Sequence, residues 1–177
     1  MNIFYLDKDV TKCAKMHVDK HCVKMILEYA QLLSTTHRVL DGVLLTGISD
    51  KGRKSTSWIL SDGRNDLLYK ATHINHPSAI WVRKSDANYS WLFRMFGALM
   101  DEYTYRYGKT HASERLAGAL CYRPKNIPKG EFTEPPLCMP DDCKVDSVIE
   151  SYRNYYKTYK KHMFIWKNRV QPVWVDA

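Results

Sequence analysis

From about Val10 to about Leu40 apolar residues recur at three- and four-residue spacing, which predicts one long helix, broken near its start. Its centre, MHVDKHCVKMILEYAQLLSTTH (residues 16 to 37), is apolar around most of its circumference. With His17 as zero and ~100° per residue, His21 projects near roughly 40°, Lys24 near −20°, Glu28 near 20°, Gln31 near −40° and Thr35 near zero. Val18, Cys22, Met25, Ile26, Tyr29 and Leu33 take the opposite side, and Met16, Val23 and Leu27 widen the apolar arc. A helix so enclosed must turn its polar line toward a cleft, a partner or a satisfied internal network.

The remaining elements follow from punctuation and period. NIFYL at residues 2 to 6 is a short apolar entry, too short for a helix. DGVLLTGISDKGRKSTS (41 to 57) mixes Gly and Ser with short apolar pieces and predicts a loop carrying Lys51, Arg53 and Lys54. Residues 64 to 72 predict a short helix, which HINHP breaks, because the residue before a proline avoids helical geometry. Pro77 can open the next helix, SAIWVRKS. Ser85 and Asp86 cap a longer one that ends near Gly108, with Trp91, Leu92, Met95, Phe96, Leu99 and Tyr103 as its core stripe. A short helix covers 112 to 121, proline-rich 122 to 142 is irregular, and a last helix runs from about Val145 to His162. No repeat and no strand ladder shows. The expectation is a mainly α protein, one compact domain over residues 1–177, with about three substantial helices and long irregular loops.

Composition then narrows the partners. The 177 residues suffice for one domain with a core. No apolar run approaches ~18 residues, so no membrane span is expected. MNIFYLDKD lacks the basic-then-apolar signature of a secretory leader, which points to a cytoplasmic protein, in the host cell if a phage encodes it. Five irregularly spaced cysteines do not make a disulfide framework, and Cys22 falls on the apolar side of its helix. The net charge of +8 favours a polyanion, and twelve tyrosines and five tryptophans among the basic residues favour nucleic acid, where bases stack beside phosphate contacts.

Three chemistries fit the polar line. Lys24 and Glu28 at i, i+4 make an ordinary surface pair, weakly stabilising at ~0.3–0.5 kcal/mol. Six polar positions in register on so apolar a helix favour a site instead. His17 and His21 share metal-ligand spacing, with His37, His73 or His76 as a third ligand, but H-V-D-K-H is not the metalloprotease motif. Alternatively, Glu28 beside an amine in a low-dielectric cleft suits acid–base work, and the amine suits imine formation with a sugar aldehyde. No cofactor is implied. In HINHP, His76 either helps hold an anion at a helix N-terminus or simply caps it. Arg83 adds charge nearby. In ESYRNYYKTYKKHMFIWKNR, Tyr152, Tyr155, Tyr156 and Tyr159 form a stripe flanked by Arg153, Lys157, Lys160 and Lys161, a pattern for tracking phosphates.

In this order, DKHCVKMILEYAQLL, then NHPSAIWVRKSDANYSWLFRMFGALMDEYTYRYG with its N-H-P…W…E-x-x-x-R-x-G pattern, then the aromatic–basic end, the chain resembles the pyrimidine-dimer DNA glycosylase family of the endonuclease V type, known from phage and bacteria. The resemblance covers roughly residues 2–40, 73–108 and 141–174. It implies a mostly helical protein that grips double-stranded DNA and flips out a base. It implies an amine that attacks the sugar C1′ and a first-helix glutamate that stabilises the imine, for which Glu28 fits best, with His17, His21 and Lys24 beside the sugar. The family uses the α-amine left after removal of the initiator Met. Here residue 2 is Asn, not a small residue, so the amine is that of Met1, or Lys24 replaces it. The expected function is a glycosylase/lyase-like repair or base-modifying enzyme. A non-catalytic nucleic-acid-binding or phage–host interaction protein and a metal-dependent hydrolase built on the histidines stand as alternatives. Nothing in the sequence names a protein partner.

Overall fold

A computed structural model describes residues 1–48 and 50–176. The protein is mainly α. Among the described residues there are seven α-helices rather than three, and only α2 (Asp19–Asp41) and α5 (Asp86–Tyr107) exceed twenty residues. The expected break near the start of the first helix is real: α1 (Val10–Met16) stops at His17, and α2 starts again after Val18. Asp9 caps α1 by accepting from Lys12 N–H.

The expected loop after α2 is instead an antiparallel hairpin, β1 (Val43–Ile48) with β2 (Lys54–Ile59), in the register Val43↔Ile59 to Ile48↔Lys54. Its strands hide from pattern reading because they are exposed on both faces, so no alternation of burial shapes the sequence. Of the expected helix over 64–72, only α3 (Arg64–Leu67) forms. The Asn65 carbonyl within it, and the Leu68 and Tyr69 carbonyls beyond it, turn to Arg38 instead of continuing a ladder. Helix α4 (Pro77–Lys84) begins at the proline, and Ser85 caps α5 through Asn88 N–H. Gly108 ends α5 in the left-handed conformation, at φ 63°, that glycine adopts without steric cost. A 3-10 turn (Ala112–Leu116) leads into α6 (Ala117–Leu120). The last helix is shorter than expected: α7 (Val148–Tyr155) passes into a π turn (Tyr156–Lys160) and a 3-10 turn (Lys161–Met163). No helix among the described residues is long and apolar enough to cross a membrane.

The core lies between α2 and α5, with α1 and α4 against them. The α5 stripe behaves as its spacing predicts: Trp91, Leu92, Met95, Phe96 and Leu99 are buried. On α2 the apolar arc is narrower than the projection implied, since Val23 and Leu27 remain 37% and 38% exposed. Residues Ile3 to Leu6 are extended and fully inside the core. Phe4 N–H donates to Tyr29 Oη, Cys13 Sγ–H donates to the Phe4 carbonyl, and Arg153 donates twice to the Leu6 carbonyl.

One buried arginine ties these elements together. Arg106 on α5 donates to Glu102 (2.7 Å), to Asp19 (2.8 Å) and to the carbonyls of Lys15 and His17. The last two carbonyls belong to the α1–α2 break, where a helix end leaves acceptors unpaired. Arg169 from the tail closes on Glu102 at 2.9 Å, and Trp166 Nε1 donates to the Met16 carbonyl. The E-x-x-x-R-x-G pattern is therefore an internal lock. Arg106→Ala leaves Glu102 and Asp19 short of their partner, and removing one side of such a pair costs ~3–5 kcal/mol. The expected outcome is a denaturant midpoint lowered to match. An unchanged midpoint would show the lock to be dispensable.

Candidate functional site

The threaded N-terminal segment decides where the site lies. Because Ile3 to Leu6 are held in the core, Met1 and Asn2 emerge beside α2. There they line a cleft of about 250 Å³ with Phe4, His21, Lys24, Met25, Glu28, Tyr155 and Lys160. Lys24 Nζ lies 3.2 Å from Glu28 Oε1. The lysine is mostly exposed and the carboxylate is mostly covered, so this pair is the wall of the cleft. Lys160 lies over the Tyr155 ring, 4.8 Å from its centroid, and adds a second cation.

His21 forms the inner wall. Its ring stacks on Phe4 at 4.2 Å, and its Nδ1 is 2.7 Å from Tyr156 Oη. The Val18 N–H hydrogen-bonds to the Tyr156 oxygen. The tyrosine proton is then directed to His21 Nδ1, which leaves hydrogen on Nε2. Burial, with His17, Lys160 and Lys24 adding to it, lowers the His21 pKa to about 3. His21 is thus a neutral N–H donor in a cleft that also holds an amine and a carboxylate. No proton for acid catalysis is stored on it near neutrality.

His76 approaches from α4. It half-buries at the helix start, where its Nδ1 accepts from Ser78 N–H. It is therefore a cap, as one of its two sequence readings had it. Its pKa is lowered by burial first and then by the positive charge of the Met1 amine, while Glu28 raises it. One imidazole thus lies within electrostatic reach of both groups. The segment before it is pinned to α2 by Thr72 N–H donating to Thr35 Oγ1 at 3.2 Å.

Other expected site residues lie elsewhere. His17 belongs to the break rather than to α2 and is completely buried. Its Nδ1 pairs with the Cys13 carbonyl, and its Nε2 has no protein partner. Tyr156 is fully buried, so it is no stacking surface for a base. Arg153 holds the Leu6 carbonyl and Glu150, and Arg83 holds the Ile74 carbonyl at 2.7 Å, so both guanidinium groups have structural work inside the fold. Lys157 and Lys161 line a separate groove of about 460 Å³ with Phe164 and Gln171. Among the described residues no three His, Cys, Asp or Glu side chains gather as metal ligands do.

Sequence reasoning missed Asn2, Phe4, Met25 and Tyr155 as walls of the cleft. NIFYL gave a signal only as an apolar run, and its threading depends on partners 7 to 147 residues away. A larger cleft of about 520 Å³ lies between α1 and α5, lined by Lys15, Arg94, Asp101, Glu102 and Arg169 among others. Its buried carboxylate, Glu102, has both oxygens occupied by arginines, so it cannot act as a base. The cleft at Glu28 is therefore the better candidate. No protein-family model, curated protein or solved structure matches the chain.

The buried imidazoles carry a pH signature. Burial lowers His17 and His37 to about 4 and His21 to about 3, all below the ordinary 6.5. The unfolded chain then binds protons that the fold refuses, so stability falls as pH drops from about 6.5 toward 4. Denaturant midpoints are expected to decrease steadily from pH 7 through 6 to 5, before most carboxylates titrate. A flat profile over that range would contradict neutral burial.

Proposed function

We propose that the chain acts on DNA as a glycosylase/lyase-like enzyme in which an amine of the cleft attacks the sugar and Glu28 assists. The observation that carries this reading is that Met1, Lys24 and Glu28 line one cleft. Amine and carboxylate are the two groups imine chemistry needs side by side. The amine lone pair forms a bond to C1′ as the bond from C1′ to the base breaks, the base leaving with the electron pair. Loss of the amine proton and ring opening give an imine. Abstraction of a C2′ proton then expels the 3′ phosphate. Glu28 stabilises the cationic imine and takes part in the proton transfers. His21 offers its Nε2–H to a sugar or phosphate oxygen. Lys160 and the net charge of +8 favour the polyanion.

Of the two amines, that of Met1 suits attack better. Lys24 instead holds the Glu28 carboxylate through its ion pair. The small cleft suits a sugar, with the rest of the duplex lying across the surface outside.

Borohydride reduction in the presence of abasic-site duplex is expected to give a covalent adduct, and peptide mass mapping should place it on Met1. Glu28→Gln should lower strand cleavage by about 10²-fold or more, the range of a lost acid–base group. No adduct with wild-type protein, together with unchanged behaviour of Glu28→Gln, would remove this reading and leave DNA binding without catalysis.

A further inference from the structure

The hairpin has no role in the cleft, yet the fold builds it with care. Its root is clamped. Arg38, 4% exposed, donates to the carbonyls of Trp58, Asn65, Leu68 and Tyr69 and to Asn65 Oδ1. Asn65 Oδ1 in turn accepts from Leu60 N–H. At Gly42, where α2 runs directly into β1, a Cβ would sit 2.4 Å from the Arg38 carbonyl, so only glycine permits this close approach. An isolated two-stranded hairpin is marginal in water. This one is held by a rigid root while the rest of it stands in solvent.

The two halves of the arm differ. Near the root lie bulky Val43, Leu44, Trp58 and Ile59. Farther out the cross-strand pairs are Leu45↔Ser57, Thr46↔Thr56 and Gly47↔Ser55, mostly small hydroxyl residues. The end carries Ile48, 77% exposed, with Lys51, Arg53 and Lys54. The outer half, mostly hydroxyl side chains and ending in cations, matches a nucleic-acid groove, while the exposed Val43, Leu44, Leu45 and Ile59 nearer the root are apolar. The major groove of B-DNA, about 12 Å wide, admits a two-stranded ribbon. Hydroxyls can bond to phosphates or base edges, and lysines pair with phosphates.

We propose that β1–β2 is a groove-entering arm for duplex DNA whose root stands about 20 Å from Glu28, the rise of the thirteen residue steps of α2 from Glu28 to Asp41. This rests on the DNA reading of the cleft and extends it. The duplex that places its damaged sugar at Glu28 is gripped a second time by the arm, away from the cleft. Ile48 at the end can contact a thymine methyl.

The test compares the full chain with a Lys51→Ser/Lys54→Ser variant, both checked for the same thermal unfolding. Affinity for a 25-base-pair abasic duplex is measured by anisotropy across a salt series. The variant is expected to bind roughly tenfold more weakly near 100 mM salt, with the log–log salt slope shallower by about 2. Borohydride trapping on a short duplex that ends before the arm should be unchanged. Equal affinity and slope for both proteins would overturn the arm while leaving the cleft reading intact. No binding by the wild type would overturn both. Concentration-dependent dimerisation abolished by the substitutions would assign the arm to a second copy of the chain and overturn its DNA role.

Discussion

The burial of the Arg106 guanidinium is the constraint on which the arrangement depends. A charge taken out of water is costly unless every donor finds an acceptor. Here Nε, Nη1 and Nη2 all do, and two of the acceptors are carbonyls released by the break between α1 and α2. The break and the arginine need one another. Without the arginine the carbonyls of Lys15 and His17 would be buried and unpaired. Without the break the arginine would have too few acceptors. Their union fixes the direction in which α2 leaves α1, and with it the face of α2 that meets the N-terminal segment.

That face carries the cleft. The segment Ile3 to Leu6 passes through the core, held by Tyr29, Cys13 and Arg153, and it delivers Met1 to the same place as Glu28. The polar line of α2 is divided by depth. Its first member, His21, sits inside with His17 of the break behind it, and both stay neutral because burial disfavours their charge. Lys24 and Glu28, one and two turns farther on, reach the opening. Thr35, farther still, secures the chain that carries His76. One helix thus supplies a packed wall, a polar mouth and an anchor in succession.

Arginine as a collector of carbonyls recurs. Arg38 gathers the chain at the hairpin root and Arg153 holds the N-terminal segment, while Arg64 joins side chains instead, the carboxylates of Asp41 and Asp62 and the His37 ring. Asp41 also accepts from the backbone N–H groups of Lys125 and Asn126 and so fixes part of the proline-rich stretch. A guanidinium presents five donors in a planar fork, which lets one side chain organise irregular backbone where no ladder exists. The net charge of +8 is consequently not all a surface property. Several of the cations are internal, bound to carbonyls or carboxylates. The cations that can face a polyanion are fewer and are mostly lysines, including Lys24, Lys160 and those at the arm's end.

The sequence by itself determined the two long helices, the α5 caps and the α5 core stripe, because period and capping are local and α2 and α5 are amphipathic enough to print them. It also marked Glu28 and Lys24, since i, i+4 spacing alone makes them neighbours. The hairpin was illegible, because strands exposed on both faces leave no alternation. The tyrosine stripe was legible as a stripe but not as to its side, and Tyr156 went inward to meet His21. Only the tertiary structure decided that Met1 stands beside Glu28, that His17 is sealed behind the cleft and that the Glu102–Arg106 pair locks onto Asp19, the α1–α2 break and Arg169. Each of these rests on partners distant along the chain, and local periodicity carries no information about which distant group will satisfy a buried charge or carbonyl.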